Sequence, residues 1–255
     1  MHESLWKVAE FRLRVHFPIY WEKIRMVVFI RKYFIQALSI LVCLNISVEG
    51  HNTWWGPTGL IQVPTTTITR ANETSVSTYA SIGGGDFYLG WNFNMAFSDH
   101  LELSVADTVG WDERSGSSTL LSMKYVPLEN VAVGGLFDTN DNYQHTIYTM
   151  IGSPQNSVYL GLGVNFGNGD ASKAVLGNYS KRSEDMETLF VMAGARWDLS
   201  KYCPSLEGLI EYNGDTMSLG FGYIPETNWD VQLDYMTSGD LLPDDQLVLS
   251  VGTKF

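Results

Sequence analysis

The chain has 255 residues, 45% of them hydrophobic and 17% charged, with a net charge of −12. The charged share lies below the roughly 25% of soluble domains, and so acidic a surface repels phosphate backbones, which excludes nucleic acid as a partner. The length suits one sizeable domain or a single closed sheet.

Residues 1–50 have a different balance. They hold seven of the sixteen Lys and Arg but four of the twenty-eight Asp and Glu, leaving 9 basic and 24 acidic residues, a net −15, in the remainder. From Met26 the chain reads MVVFIRKYFIQALSILVCLNISVEG. Arg31 and Lys32 give a basic start, Tyr33 to Val48 is apolar and uncharged, and the small Gly50 closes the stretch. This is the three-part layout of a secretory signal peptide, with an apolar run short for a spanning helix. The expectation is an N-terminal extension and signal peptide over 1–50, with Met26 as the true start. An uncleaved anchor is the alternative. Val42 before Cys43 does not suit a lipoprotein signal. Without this run Cys203 stands alone, so no intramolecular disulfide is expected and Cys203 reads as a small structural residue.

Next comes WWGPTGLIQVPTTTI, Trp54 to Ile68, with two prolines and two glycines and no strand or helix periodicity. Residues 51–72 read as a periplasmic lead-in. Gly56, Gly59, Leu60, Ile61, Pro64 and Thr65 fit the pattern G-x-x-G-L-I-x-x-P-T. The stretch resembles the opening motif of the YjbH-like outer-membrane proteins, and the turn at YVPLENVAVGG, Tyr125 to Gly135, is similar to theirs. The resemblance implies an outer-membrane barrel associated with exopolysaccharide production. Two placements are open for the segment. It packs under the barrel or across its periplasmic mouth, or it serves as a plug or partner-docking segment.

After residue 70 the pattern has a period of two. In DFYLGWNFNMAF, Phe87, Leu89, Trp91, Phe93, Met95 and Phe97 share one face, and Tyr88, Gly90, Asn92, Asn94 and Ala96 the other. Twelve such segments occur, near 73–82, 86–97, 101–111, 118–126, 130–139, 143–152, 157–166, 187–197, 205–213, 216–224, 229–237 and 246–255. Each has the length of a tilted strand crossing a bilayer. A soluble sandwich puts its large apolar residues in a dry core. Here the opposite faces are too polar for a core, so the apolar faces are expected to meet lipid and the polar ones a lumen. The fold class is therefore all-β, a transmembrane antiparallel β-barrel of about twelve strands over 73–255.

The connections alternate in length. Those near 98, 127–130, 153–156, 199–205 and 225–228 are short, while 112–117, 167–185 and 238–245 are longer and polar. Short periplasmic turns and longer outer loops are the expected asymmetry. Phe97, Tyr125, Trp197, Tyr223, Trp229 and Phe255 are expected at one membrane interface, and Phe87, Trp111, Phe166, Tyr212 and Tyr235 at the other.

The inward positions carry the candidate chemistry. They include Glu102, Asp138, Glu207, Glu211, Asp230 and Asp234, with Lys124, Arg196 and Lys254 as counter-charges. Carboxylate rings attract cations, so a continuous water path would favour cations or neutral solutes. In a closed barrel the same groups pair with one another. No enzyme is expected. His145, near Asp138 and Asp141, is the one histidine placed for water activation, but these are also ordinary hairpin residues. No Cys and His cluster suggests a metal. The triple glycine at 83–85 is a tight turn, since no helix follows it. No cofactor is expected.

The chain closes on LVLSVGTKF. Leu249, Val251 and Phe255 fall on the lipid-facing row, and pairing of this strand with the first one would remove the open edge. The segment resembles the C-terminal signal of bacterial outer-membrane barrels, which implies recognition by the barrel-assembly machinery. The expected partners are outer-membrane lipid and that machinery, with polysaccharide, small cations or neutral solutes as candidate cargo. The expected function is a small porin-like channel or an envelope protein related to exopolysaccharide export. The alternatives are a closed structural or docking barrel and, less favoured, an outer-membrane enzyme.

Overall fold

The computed structural model describes residues 51–84, 86–110, 118–139, 145–153, 157–167, 176, 188–225, 228–238 and 244–255. The signal-peptide reading of 1–50, together with Trp111, Asp141 and nearly all of the 167–185 loop, lies outside the described residues.

Two short strands come first, β1 (His51–Asn52) and β2 (Thr58–Gly59), paired antiparallel. Twelve strands then close into a barrel: β3 (Thr74–Gly83), β4 (Asp86–Ser98), β5 (Leu101–Gly110), β6 (Ser118–Leu128), β7 (Val131–Asp138), β8 (His145–Ser153), β9 (Val158–Phe166), β10 (Thr188–Asp198), β11 (Leu206–Tyr212), β12 (Met217–Tyr223), β13 (Trp229–Met236) and β14 (Gln246–Lys254). Each strand pairs antiparallel with its sequence neighbour, and β14 closes on β3 from Leu247↔Ile82 to Lys254↔Ser75. Every expected segment is a strand, with ends within two residues of those read from periodicity. The edge at the C-terminus is paired, and Phe255 N donates to Thr74 O at 2.8 Å.

The turns follow from local chemistry. Gly83 pairs with Asp86 across a two-residue link, and Gly84 has φ of 58°, the left-handed conformation such hairpins need. The β6–β7 register shifts between Tyr125 and Leu128. Pro127 lies within that shift, where a residue with no N–H can be tolerated. The rim holding the chain's C-terminus carries the links at Asp99–His100 and Glu129–Asn130, and the opposite rim carries the connections at 167–187 and 237–245. By the usual asymmetry the first rim is periplasmic.

Outward rows are large and apolar. Trp91, Phe93, Leu103, Leu121, Ile147, Leu160, Leu162, Leu189, Phe221 and Leu233 are all exposed. In water such a belt would be a severe liability, and in lipid it is the solvated surface. Phe97, Tyr125, Trp197, Tyr223 and Phe255 are exposed at the periplasmic rim and Tyr212 and Tyr235 near the other. The chain is thus a bacterial outer-membrane β-barrel. On the last strand Leu249 and Phe255 are exposed as expected, but Val251 is only 6% exposed, so the row meets lipid at Leu247, Leu249 and Phe255 and is covered between them.

Candidate functional site: a lumen occupied by the chain itself

The residues expected as a periplasmic lead-in lie inside the barrel. Leu60, Ile61 and Val63 are 0% exposed, and Trp54, Trp55, Thr58, Thr65 and Thr66 are buried with them. Five large apolar side chains with no strand partner need a water-free place, and the lumen supplies it. Of the two placements left open by the sequence, the geometry is that of a plug.

The segment folds on itself before it meets the wall. Thr53 N donates to Pro57 O at 2.8 Å, Trp54 N to Ile61 O at 3.1 Å, Leu60 N to Val63 O at 3.0 Å and Thr65 N to Thr58 O at 3.2 Å. The motif residues build this compact hairpin. Gly56 has φ of 109°, and a Cβ there would collide with Ser104 Oγ, so both its conformation and its space call for glycine. Gly59 bridges to Pro64. Leu60 sits over Gly194 of β10, filling the space a wall side chain would take, and Ile61 lies beside Gly220 of β12, which Asp234 covers. Thr65 Oγ1 hydrogen-bonds with Thr67 Oγ1 at 2.7 Å.

Two clamps on opposite walls hold the hairpin. On one wall, Glu102 of β5 accepts from Thr58 N at 2.7 Å and Thr58 Oγ1 at 2.8 Å. Its cross-strand partner Lys124 of β6 lies 2.8 Å from it and donates to Thr58 O at 2.7 Å and Thr67 O at 2.6 Å, joining both arms of the hairpin. On the other wall, six strands round the barrel, Glu211 of β11 accepts three successive backbone N–H groups. The distances are 3.0 Å from Ile61, 2.8 Å from Gln62 and 3.0 Å from Val63. Consecutive N–H groups curled round one carboxylate form an anion nest. At the entrance, Asn52 Nδ2 donates to Ser75 Oγ at 2.8 Å and to Asn92 Oδ1 at 3.1 Å.

The other expected lumen residues all point inward. Arg196 lies 3.8 Å from Glu207 and 3.4 Å from Tyr159 Oη. Gln232 Nε2 donates to both oxygens of Asp234, at 3.0 and 2.9 Å. Asp230 and Ser77 both lie against Gly252. Asp138 and Lys254 are buried as well. The acids and bases thus line the interior as a set, and the segment links the Glu102–Lys124 pair on one wall to Glu211 on the other.

Sequence reasoning missed a second lumenal feature. The inward rows of β6 to β10 are largely apolar: Leu120, Leu136, Tyr148, Met150, Tyr159, Phe190 and Met192 are buried in one cluster with Leu176 from the outer loop. Asn165 Nδ2 donates to Leu176 O at 2.7 Å. The big side chains lie over glycines on the next strand, Tyr148 over Gly134, Tyr159 over Gly152 and Phe190 over Gly163. The signal was present as inward aromatics alternating with glycines, but it becomes legible only once register pairs them. The large apolar side chains of the lumen thus gather along β6 to β10, among fewer polar groups such as Lys124, Asp138 and Arg196.

His145 and Asp138 do not come together. His145 packs on the outer face between the rings of Phe137 and Phe166, with centroids at 5.8 and 5.6 Å, while Asp138 faces the lumen. Among the described residues no group of three or more His, Cys, Asp or Glu is placed to hold a metal ion. A recess of about 340 Å³ opens across β4 to β7, lined by Phe93, Phe97, Leu103, Leu121 and Phe137, and it faces lipid rather than the lumen.

No family model matches this sequence, and no curated protein matches it. Among solved structures, the KdgM porin is similar at 12% identity, covering 71% of this chain and 99% of that one with a TM-score of 0.47. The Acinetobacter baumannii outer membrane protein Omp33 is similar at 11% identity, covering 72% and 98%, with a TM-score of 0.42. These likenesses are of architecture, and the function must be read from the side chains of this chain.

Proposed function

We propose that this protein is a small outer-membrane channel held shut by its own N-terminal segment, residues 53–69. The observation that carries the proposal is the two-sided clamp. The interior is closed by a separable hairpin, fastened by Glu102 and Lys124 on one wall and by Glu211 on the other. Such a segment leaves by exchanging its hydrogen bonds for water, whereas a core of strand side chains has no route out. A role in polysaccharide export belongs to this reading, supported by the YjbH-like motif, whose residues are those that shape the plug. An acidic lumen favours neutral or amino-bearing glycans over acidic ones.

The test is conductance in a planar bilayer. The wild-type barrel is expected to be silent or to open only in brief bursts. A variant with residues 54–66 replaced by a short Gly-Ser linker is expected to conduct steadily. Heat-modifiable gel mobility establishes that each is folded. Silence of the folded linker variant would overturn the channel reading. It would favour the second reading, a closed structural or docking barrel, for which the observation is the apolar filling contributed by β6 to β10 themselves.

A further inference from the structure

Glu211 differs from the lumenal glutamates Glu102 and Glu207 in what neutralises it. Glu102 has Lys124 at 2.8 Å and Glu207 has Arg196 at 3.8 Å. Glu211 is buried, and its partners are the backbone N–H groups of Ile61, Gln62 and Val63. Among the described residues no Lys or Arg pairs with it. The nest therefore does the work of a counter-ion. When the segment leaves, the carboxylate at that wall loses all its donors at once. A carboxylate cannot stay bare in a poorly hydrated interior, because nothing then offsets its desolvation. It must take up a proton, a cation, an ammonium group or water.

The surroundings suit that exchange. Glu211 is the penultimate residue of β11, close to the outer mouth. Its cross-strand neighbour is Ser218, whose buried hydroxyl has no hydrogen-bond partner. One strand further on, Asp234 covers Gly220, and Ile61 Cδ1 lies beside it. Withdrawal of Ile61 would open a space beside the Asp234 carboxylate to a ligand between Glu211, Ser218 and Asp234.

We propose that Glu211 has two roles in turn. It latches the plug through the nest, and in the opened lumen it is the carboxylate that admits cations and ammonium-bearing solutes and turns anions away. The inference rests on the channel reading. The latch and the selectivity belong to one group, so a cation arriving from outside competes with the plug for the same oxygens.

The experiment records reversal potentials in a potassium chloride gradient. It uses the linker variant with and without Glu211→Gln, and the full-length chain with and without the same change. The expected result is a cation-preferring linker variant that loses most of its preference on Glu211→Gln, together with more frequent openings in full-length E211Q than in wild type. An unchanged reversal potential overturns the selectivity role. Full-length E211Q as quiet as wild type, beside a conducting linker variant, overturns the latch. A folded but silent linker variant is a different failure, because it removes the channel reading itself and this inference with it. Glu211→Asn, tested in parallel, separates loss of charge from any effect particular to glutamine.

Discussion

Lys124 and Glu102 face each other across β6 and β5 at 2.8 Å, and each also holds the hairpin they enclose. Their bond is not a wall-to-wall contact alone, because Lys124 reaches Thr58 O and Thr67 O while Glu102 takes Thr58 N. Breaking one partner of a buried pair leaves an uncompensated charge and typically costs about 3–5 kcal/mol. A double-mutant cycle with Glu102→Gln and Lys124→Met, read by urea unfolding in micelles, should give a coupling above about 1 kcal/mol. Additive single effects would mean that the pair is not formed in the folded barrel.

Gly56 meets Ser104 where the segment touches β5. Gly56→Ala adds a methyl that collides with Ser104 Oγ and also forces an L side chain to φ of 109°. Strain of this kind costs about 1–3 kcal/mol. It falls on the plug and not on the ladder, so the barrel should keep its heat-modifiable mobility while conductance bursts increase. Gly56→Ala combined with Ser104→Gly relieves the collision but not the backbone strain, and should recover only part of the closed state. Full recovery would show that backbone conformation is irrelevant at this position.

Leu60 and Gly194 give a covalent check on where the segment lies. A Cβ on Gly194 would run into Leu60 Cδ1, which brings the two Cβ positions close to the span a disulfide needs, about 3.5–4.5 Å. With Cys43 and Cys203 replaced by serine, Leu60→Cys with Gly194→Cys should oxidise to an internal disulfide. The product should be closed until a reductant is added. Free thiols after mild oxidation of the folded protein would contradict the lumenal placement.

The barrel was legible because lipid imposes a simple rule. Outward positions such as Phe93, Leu162 and Leu249 must be apolar at every second residue, so the alternation appears in the raw sequence. The inward charges were legible by the same parity, and Glu102, Lys124 and Glu211 were picked out without any knowledge of what they bind. For the segment 54–68 the sequence left a plug open beside a lead-in under the barrel and could not choose between them, because the attachment is written in backbone atoms. The nest at Ile61, Gln62 and Val63 donates three N–H groups that every non-proline residue carries. The apolar part of the lumen was hidden for another reason. Tyr148 and Phe190 look out of place on a polar face until register sets Tyr148 against Gly134 and Phe190 against Gly163.

Asp245 carries the pH prediction, since it lies in the connection after β13 rather than in a strand. Its carboxylate accepts hydrogen bonds from Tyr235 Oη and, at 2.8 Å, from Ser238 N. The bond from Tyr235, followed by that from Ser238, holds its pKa below the ordinary carboxylate value. A depressed pKa means that the folded form prefers the charged carboxylate. The stabilisation is therefore present above the unfolded value and is lost as pH falls through the lower, folded one. A carbon-detected titration of Asp245 in micelles should show a midpoint under that of a free aspartate. Tyr235→Phe removes the larger cause and should move the midpoint upward, leaving the smaller effect of Ser238. A midpoint that does not respond to Tyr235→Phe would mean that the phenol does not hold this connection closed.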